Sequence, residues 1–324
     1  MRSVLALNHE DKEPIYRGVY STCNGSNVKD FSEAEKFYDQ LFSIAFLSKP
    51  NSTMQVIFIF ISFISIVGMV GNGFVIWLLG FCIQRNNFTI YVLNLAIADF
   101  SLLMNIFVSL VIKRISLSSG ADIITMQLLL AYFVLFTHSV GLYLLTAIGV
   151  ERCISVLFPI WARCHRPTYL STTVSVLCWI VPAFMLVTTF LLHYFCLLGY
   201  WVIYVRTTAA ISLFIFTPIM VISTLILFIK VLFRHQPGKL HTMILIILLF
   251  FIFTAVPNDI LYFLFVIDPD FHIIALPIMF LLIVLNSSIN PIVYFFVKNG
   301  CNCRSWESIK VMLQRVFKED SELT

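Results

Sequence analysis

Long apolar runs separated by short polar stretches recur seven times along the chain, at approximately Met54 to Phe81, Phe88 to Ile112, Ile123 to Val150, Ser171 to Leu198, Ala209 to Leu232, Met243 to Ile267 and Phe271 to Val297. Each run holds about 20 residues or more, enough for a helix to cross a hydrocarbon core of about 30 Å. The pattern predicts an all-α membrane protein, a seven-transmembrane helix bundle over residues 54–297, flanked by a segment 1–53 and a tail 298–324. Composition agrees, because 60% of the residues are hydrophobic and only 12% are charged, whereas soluble domains carry about 25% charged residues. In the tail, Trp306, Ile309, Met312, Leu313, Val316 and Phe317 alternate with Lys310, Gln314, Arg315 and Lys318 at helical spacing. That spacing predicts a short amphipathic C-terminal helix lying on the bilayer. Cys301 and Cys303 at its start are candidates for palmitoylation, with unmodified thiols the equal alternative.

The charges between the spans predict the topology. Arg85, Arg163, Arg166, Lys230, Arg234, Lys239, Lys298, Arg304, Lys310, Arg315 and Lys318 share one side, close to helix ends, and the positive-inside rule makes that side cytoplasmic. Lys113 and Arg114 stand against the trend on the outer side, where Asp268 and Asp270 also fall. Seven spans then leave the amino terminus extracellular and the carboxyl terminus cytoplasmic, in a multi-pass protein of the plasma membrane. The only apolar run near the start, Val4 to Leu7, is too short for a signal-peptide core, so the first span is expected to start insertion. Two glycosylation sequons, at Asn24 and Asn51, lie in the extracellular segment, which is expected to be mostly disordered. Cys23 and Cys196 are the pair that the oxidising exterior could join, the alternative being two free thiols. A net charge of +4 spread over inner loops and tail fits a membrane surface and not nucleic acid.

Polar residues inside the spans cost free energy unless they face protein or water. The main set is Asn72, Asp99, Asn286 and Asn290. Asn286, Asn290 and Tyr294 recur every four residues and share a helical face, which could meet Asp99 and Asn72 in a polar core. The plainer reading is a set of interhelical hydrogen bonds that only holds helices together. In the third span His138, Gly141, Leu145, Ile148 and Arg152 form one stripe, with His138 about 21 Å further out than Arg152. Arg152 beside Glu151 at the inner end is expensive near hydrocarbon and marks a switch. A matching stripe in the sixth span, Phe251, Ala255, Asp259 and Tyr262, places Asp259 two residues past Pro257. Asp259 is a ligand-contact candidate, with Tyr262 and with His138 or Arg206 as internal partners; the competing reading is a structural pair. No phosphate-binding glycine loop, zinc-ligand cluster or nucleophile elbow is present, so enzyme chemistry has no visible carrier and no resident cofactor is expected.

From Gly71-Asn72 through Asp99, Glu151-Arg152, Trp179, Pro218 and Pro257 to Asn290-Pro291-Ile292-Val293-Tyr294, the chain resembles the rhodopsin-like G protein-coupled receptors. The run Glu151 to Pro167, with Gly141 to Ile148 and Leu285 to Pro291, resembles the Mas-related subfamily. The resemblance implies an extracellular peptide or small-molecule ligand held between the outer halves of the third, fifth, sixth and seventh helices. It also implies a heterotrimeric G protein engaged through Arg152 once the sixth helix swings outward. Glu151, Arg152, Asn290, Pro291 and Tyr294 are the implied activation switch. Pro218, Leu142 and Phe251 match a packing relay beneath the pocket, and Asp99 with Asn286 matches a sodium site. The bilayer and a second receptor copy complete the candidate partners.

The chain departs from that pattern at several positions. Ala255 replaces a common Trp, and Gly141 replaces a Ser that often helps hold sodium. Pro237 stands where many receptors have an acid that locks the Arg, so Arg152 is expected to rely on Glu151 alone and basal activity to be high. Gln127 replaces the usual outer cysteine of the third helix. Mas-related receptors often bridge the end of helix four to the start of helix five instead, and here Cys196 remains while Trp201 takes the partner's place. Thr189, Val205 and Arg206 stand where relatives use acids, which argues against a strongly cationic peptide ligand. A transporter or ion channel is the rival class, because Asp99, Asp259 and Arg152 could mark an ion path, but neither half of the chain repeats the other.

Overall fold

The computed structural model describes residues 52–82, 86–119, 124–167, 169–194, 200–232, 239–267 and 272–296. Helix α1 runs Ser52–Trp77 and continues as a π-helical turn, Leu78–Cys82; α2 is Asn87–Ser119, α3 is Ile124–Leu157 and α4 is the short Pro159–Cys164. Then follow α5 (Leu170–Tyr194), α6 (Tyr200–Ile211), a π-helical turn Ser212–Phe216, α7 (Thr217–Leu232), α8 (Lys239–Ile267) and α9 (His272–Phe296). The six long expected spans other than the fifth correspond to α1, α2, α3, α5, α8 and α9. The fifth is α6, the π turn and α7 together, and it starts at Tyr200 rather than Ala209. Its first turns carry Arg206 and two threonines, which hid them from a search for apolar runs.

Backbone polar groups in hydrocarbon must be satisfied within the segment, which is why the described residues of each span are helical throughout. Five of the spans are long and apolar enough to cross a membrane, and α8 and α9 add the apolar stretches Leu248–Leu264 and Pro277–Val293. Intrahelical hydroxyls turn back on the ladder, as in Ser65 Oγ to Ile61 O at 2.8 Å and Thr146 Oγ1 to Leu142 O at 2.8 Å, so that they present no unpaired donor to lipid. The spans close into a ring in which α1 packs on α2 and α9, while α3 touches α2, α5, α7 and α8. Two thirds of the third span (67%) is buried against 22% of the first and fourth, which makes α3 the axis of the bundle. The core around it includes Leu95, Leu144, Leu145, Met220, Leu248 and Phe251.

One contact explains how α1 and α9 come so close. A Cβ on Gly68 would lie 2.2 Å from Ser288 Oγ, and one on Gly71 would lie 3.0 Å from Pro291 Cβ. Only glycine leaves room there, the small-residue logic of helix packing in membranes. The amphipathic C-terminal helix, the sequons at Asn24 and Asn51, Cys23, Cys196, Pro237, Cys301 and Cys303 lie outside the described residues. The described cysteines, Cys82, Cys153, Cys164 and Cys178, are free thiols.

Candidate functional site

The polar residues of the spans form three groups stacked along the bundle. The middle group begins with Pro291, which has no N–H and so leaves the carbonyl of Ser287, four residues earlier, without its helical partner. Asn72 supplies the missing donor from α1: its Nδ2 reaches Ser287 O at 3.0 Å and its own helix's Gly68 O at 3.0 Å. Asn290, one turn on from Asn286, donates Nδ2 to Asp99 Oδ2 at 2.7 Å. Asn72, Asp99, Ser287 and Asn290 are all buried to 2% exposure or less. These contacts join α1, α2 and α9 through buried polar groups, an arrangement that fits the polar-core reading and the plainer reading of interhelical bonds alike.

Asn286 is not the residue that meets Asp99. Its Oδ1 accepts from Thr254 Oγ1 of α8 at 3.0 Å, so it ties the seventh span to the sixth. A four-residue step along an α-helix rotates a side chain by about 40° and raises it by about 6 Å. On α9 that suffices for Asn286 and Asn290 to address different neighbours. Gly141 of α3 faces the same carboxylate, since a Cβ there would lie 3.8 Å from Asp99 Oδ1.

The outer group lies between α6, α7 and α8. Asp259, 1% exposed, accepts from Thr217 Oγ1 at 2.7 Å through Oδ2, while its Oδ1 and the neighbouring Asn258 Oδ1 are buried without a hydrogen-bond partner. The sequence reading gave His138 or Arg206 as the internal partner of this carboxylate, but Thr217 takes that place. Arg206 is exposed, because its place in the extended fifth span turns it away from the bundle, and His138 is half-buried on α3. Thr217 can reach because the π turn Ser212–Phe216 precedes it, and the extra residue of a π turn rotates the following side chains. Above this pair, Tyr262 Oη and Thr208 Oγ1 are 3.3 Å apart, and the rings of Tyr132 and Tyr204 lie 5.9 Å apart. Of the expected stripes, Gly141, Leu145, Ile148 and Arg152 are buried on α3 and Phe251, Ala255 and Asp259 on α8, whereas the outermost members, His138 and Tyr262, are half-buried. Of the packing relay, Leu142 and Phe251 are buried but Pro218 is exposed, and Met220 of α7 takes the inward position.

The inner group surrounds Arg152, 5% exposed, whose guanidinium carbon lies 4.1 Å from the centre of the Phe88 ring on α2. A planar cation on a ring face is a favourable contact in a dry site. Glu151 does not serve Arg152 alone. Arg166, from the segment after α4, pairs with Glu151 Oε1 and also donates to Ser171 Oγ at 2.5 Å. The charge-to-charge spacing of fifteen residues is spanned by the turn at Phe158 and the short helix α4, a fold-back no local pattern announces. Tyr294 lies on α9, in the same span as Asn290.

Sequence reasoning passed over Gly68, Thr217, Thr254 and Asn94, and counted Arg166 only as an inner-side charge. Asn94 Oδ1 accepts from Trp179 Nε1 at 3.0 Å and joins the second span to the fourth. A Ser or Thr inside a span gives little sequence signal, because its hydroxyl can always bond its own helix. Gly68 had one, lying four residues before Asn72.

Among the described residues no group of three or more His, Cys, Asp or Glu side chains could hold a metal ion. Comparison with known proteins adds a family to this geometry. Residues 71–294 match the model of the seven-transmembrane receptors of the rhodopsin family. The proto-oncogene Mas of Homo sapiens is 36% identical over 316 residues, covering 92% of this chain and 94% of that protein. Mas-related G-protein coupled receptor member X1 of Homo sapiens is 35% identical (80% and 82% covered), and member H of Rattus norvegicus is 39% identical (78% and 80% covered).

Proposed function

The chain belongs to the rhodopsin family of seven-transmembrane receptors and, within it, to the Mas-related receptors, and from that premise we propose that it binds an extracellular peptide or small molecule in the outer half of the bundle and activates heterotrimeric G proteins. The family consists of receptors, not enzymes, and does not favour the transporter or channel reading. The observation that carries the proposal is the run of buried polar groups from Asp259 and Thr217, through Thr254 with Asn286 and Asp99 with Asn290, to Arg152. Each group bridges two spans, and in this reading a change at the outer end reaches the inner end through these bridges.

In this reading the ligand meets Asp259, Tyr262 and His138, with Arg206 at the rim. The unpartnered Oδ1 atoms of Asp259 and Asn258 supply acceptors for a hydrogen-bond donor or cation. A ligand that binds the active arrangement better shifts the population by that difference in affinity and by no more. The inner switch is Arg152 leaving the Phe88 ring for the G protein, with Asn290, Pro291 and Tyr294 rearranging beside it. Because Glu151 pairs with Arg166 and is not reserved for Arg152, basal activity is expected. A sodium ion at Asp99 would use Oδ1 and the Ser287 hydroxyl; Gly141 contributes no oxygen, so such a site holds sodium weakly. The amino terminus lies outside the cell, and two copies can pair within the bilayer.

The test is second-messenger output in cells at graded surface expression, first without ligand and then against peptide and amine libraries. Output that rises with receptor density and is lost in Arg152→Ala, with surface expression and ligand binding retained, supports the proposal. Unchanged coupling in a well-expressed Arg152→Ala receptor overturns it.

A further inference from the structure

Two adjacent residues of α8 each bury an acceptor oxygen that accepts nothing. Asp259 is 1% exposed and Asn258 is 2% exposed, and the Oδ1 of each is closed off from solvent without a hydrogen-bond donor. The Asn258 side chain lies within reach of the Asp259 carboxylate, so both oxygens belong to one neighbourhood. The second carboxylate oxygen, Oδ2, is taken by Thr217 Oγ1 at 2.7 Å. Among the described residues no lysine, arginine or histidine pairs with Asp259; Arg206 is exposed and His138 is half-buried. A buried carboxylate without a counter-charge and a buried amide oxygen without a donor both lower stability. Such groups are retained at binding sites, where function is kept at the expense of stability.

The donor pattern selects among cations. A guanidinium binds a carboxylate as a planar fork on both oxygens, and here Thr217 already holds one of them. A quaternary ammonium has no N–H and would leave the Asn258 oxygen without a donor. A primary ammonium carries three N–H donors on one compact centre. They match Asp259 Oδ1, Asn258 Oδ1 and the hydroxyl of Tyr262, which lies one turn further out on the same stripe of α8. Resting on the receptor reading above, we propose that this site takes the primary ammonium group of the ligand, from a free amine, a peptide amino terminus or a lysine side chain. Thr217 is then a positioning residue, which fixes the carboxylate and excludes a guanidinium.

The experiment is thermal unfolding of the purified full-length receptor, titrated at matched ionic strength with phenethylamine, phenethylguanidine, N,N,N-trimethylphenethylammonium or sodium chloride, the shift in melting temperature reporting affinity. Phenethylamine should bind about tenfold more tightly than either other organic cation, and Asp259→Asn should abolish that preference. Phenylalanyl-glycinamide and N-acetyl-lysinamide, titrated alongside, separate a peptide amino terminus and a lysine side chain from a free amine. Without ligand, Asp259→Asn should melt at a higher temperature than wild type, because it removes the uncompensated charge; a purely structural carboxylate predicts the reverse. Thr217→Val leaves the carboxylate in place, frees Oδ2 and should narrow the gap between phenethylguanidine and phenethylamine. No response to any of the three primary amines, equal affinity for the three organic cations, stabilisation by sodium equal to that by phenethylamine, an unchanged phenethylamine response in Asp259→Asn, or a ligand-free Asp259→Asn receptor less stable than wild type would each overturn the assignment. Any of these results together with density-dependent second-messenger output that Arg152→Ala abolishes would remove the ligand class and leave the receptor reading standing.

Discussion

Arg166→Gln offers a directional test of the inner switch. In the structure Glu151 is paired with Arg166, and their side chains are 19% and 10% exposed, so solvent screens the pair only partly. Replacing Arg166 removes one charge-assisted interaction from a carboxylate whose Oε2 already lacks a hydrogen-bond partner. Such an interaction is worth about 1.5 to 3 kcal/mol. Another cation beside Glu151 is its chain neighbour Arg152, 4.1 Å above the Phe88 ring. With its competitor gone, Glu151 restrains Arg152 more strongly, and the inactive population rises by about ten- to a hundredfold if the whole interaction is transferred. Basal second-messenger output per surface receptor should therefore fall in Arg166→Gln and stay near wild type in Arg166→Lys. The assay compares ligand-free output across matched surface densities, with antibody staining as the density scale. A rise in basal output in Arg166→Gln would refute the reasoning, because it would mean that the Glu151–Arg166 pair itself holds the receptor silent.

Asp259→Asn keeps the Thr217 contact but removes the charge, so a cationic agonist should lose about 10- to 100-fold in potency, equivalent to about 1.5 to 3 kcal/mol, in a dose–response assay. An agonist indifferent to both Asp259→Asn and His138→Ala binds elsewhere. Gly68→Val should lower the melting temperature of the purified receptor, since its Cβ alone would sit 2.2 Å from Ser288 Oγ, and overpacking of this kind costs about 1 to 3 kcal/mol. Asn72→Leu should also destabilise, because it strands the carbonyl of Ser287 that Pro291 has already freed; a melting curve superimposable on wild type would contradict that account.

Much of the architecture was legible in the chain itself. Hydrocarbon tolerates only backbone that satisfies its own hydrogen bonds, so runs of about 20 apolar residues announce helices and their number. Periodicity likewise announced the buried stripes of α3 and α8, because a residue's face on a regular helix follows from its position. The beginning of the fifth span was not legible, since Arg206 and its threonines interrupt the apolar run although the helix continues through them. Partner choice was decided by the tertiary structure. Asn72 bonds a carbonyl 215 residues away, Asn290 takes an Asp 191 residues away, and Arg166 folds back on Glu151. Each depends on how far helices are rotated, bent at proline or π turns, and drawn together at Gly68, quantities of a few ångströms and tens of degrees that composition and spacing leave free. The sequence by itself determined that polar groups would be buried in the membrane and on which stripes; only the packed bundle determined which of them answer one another.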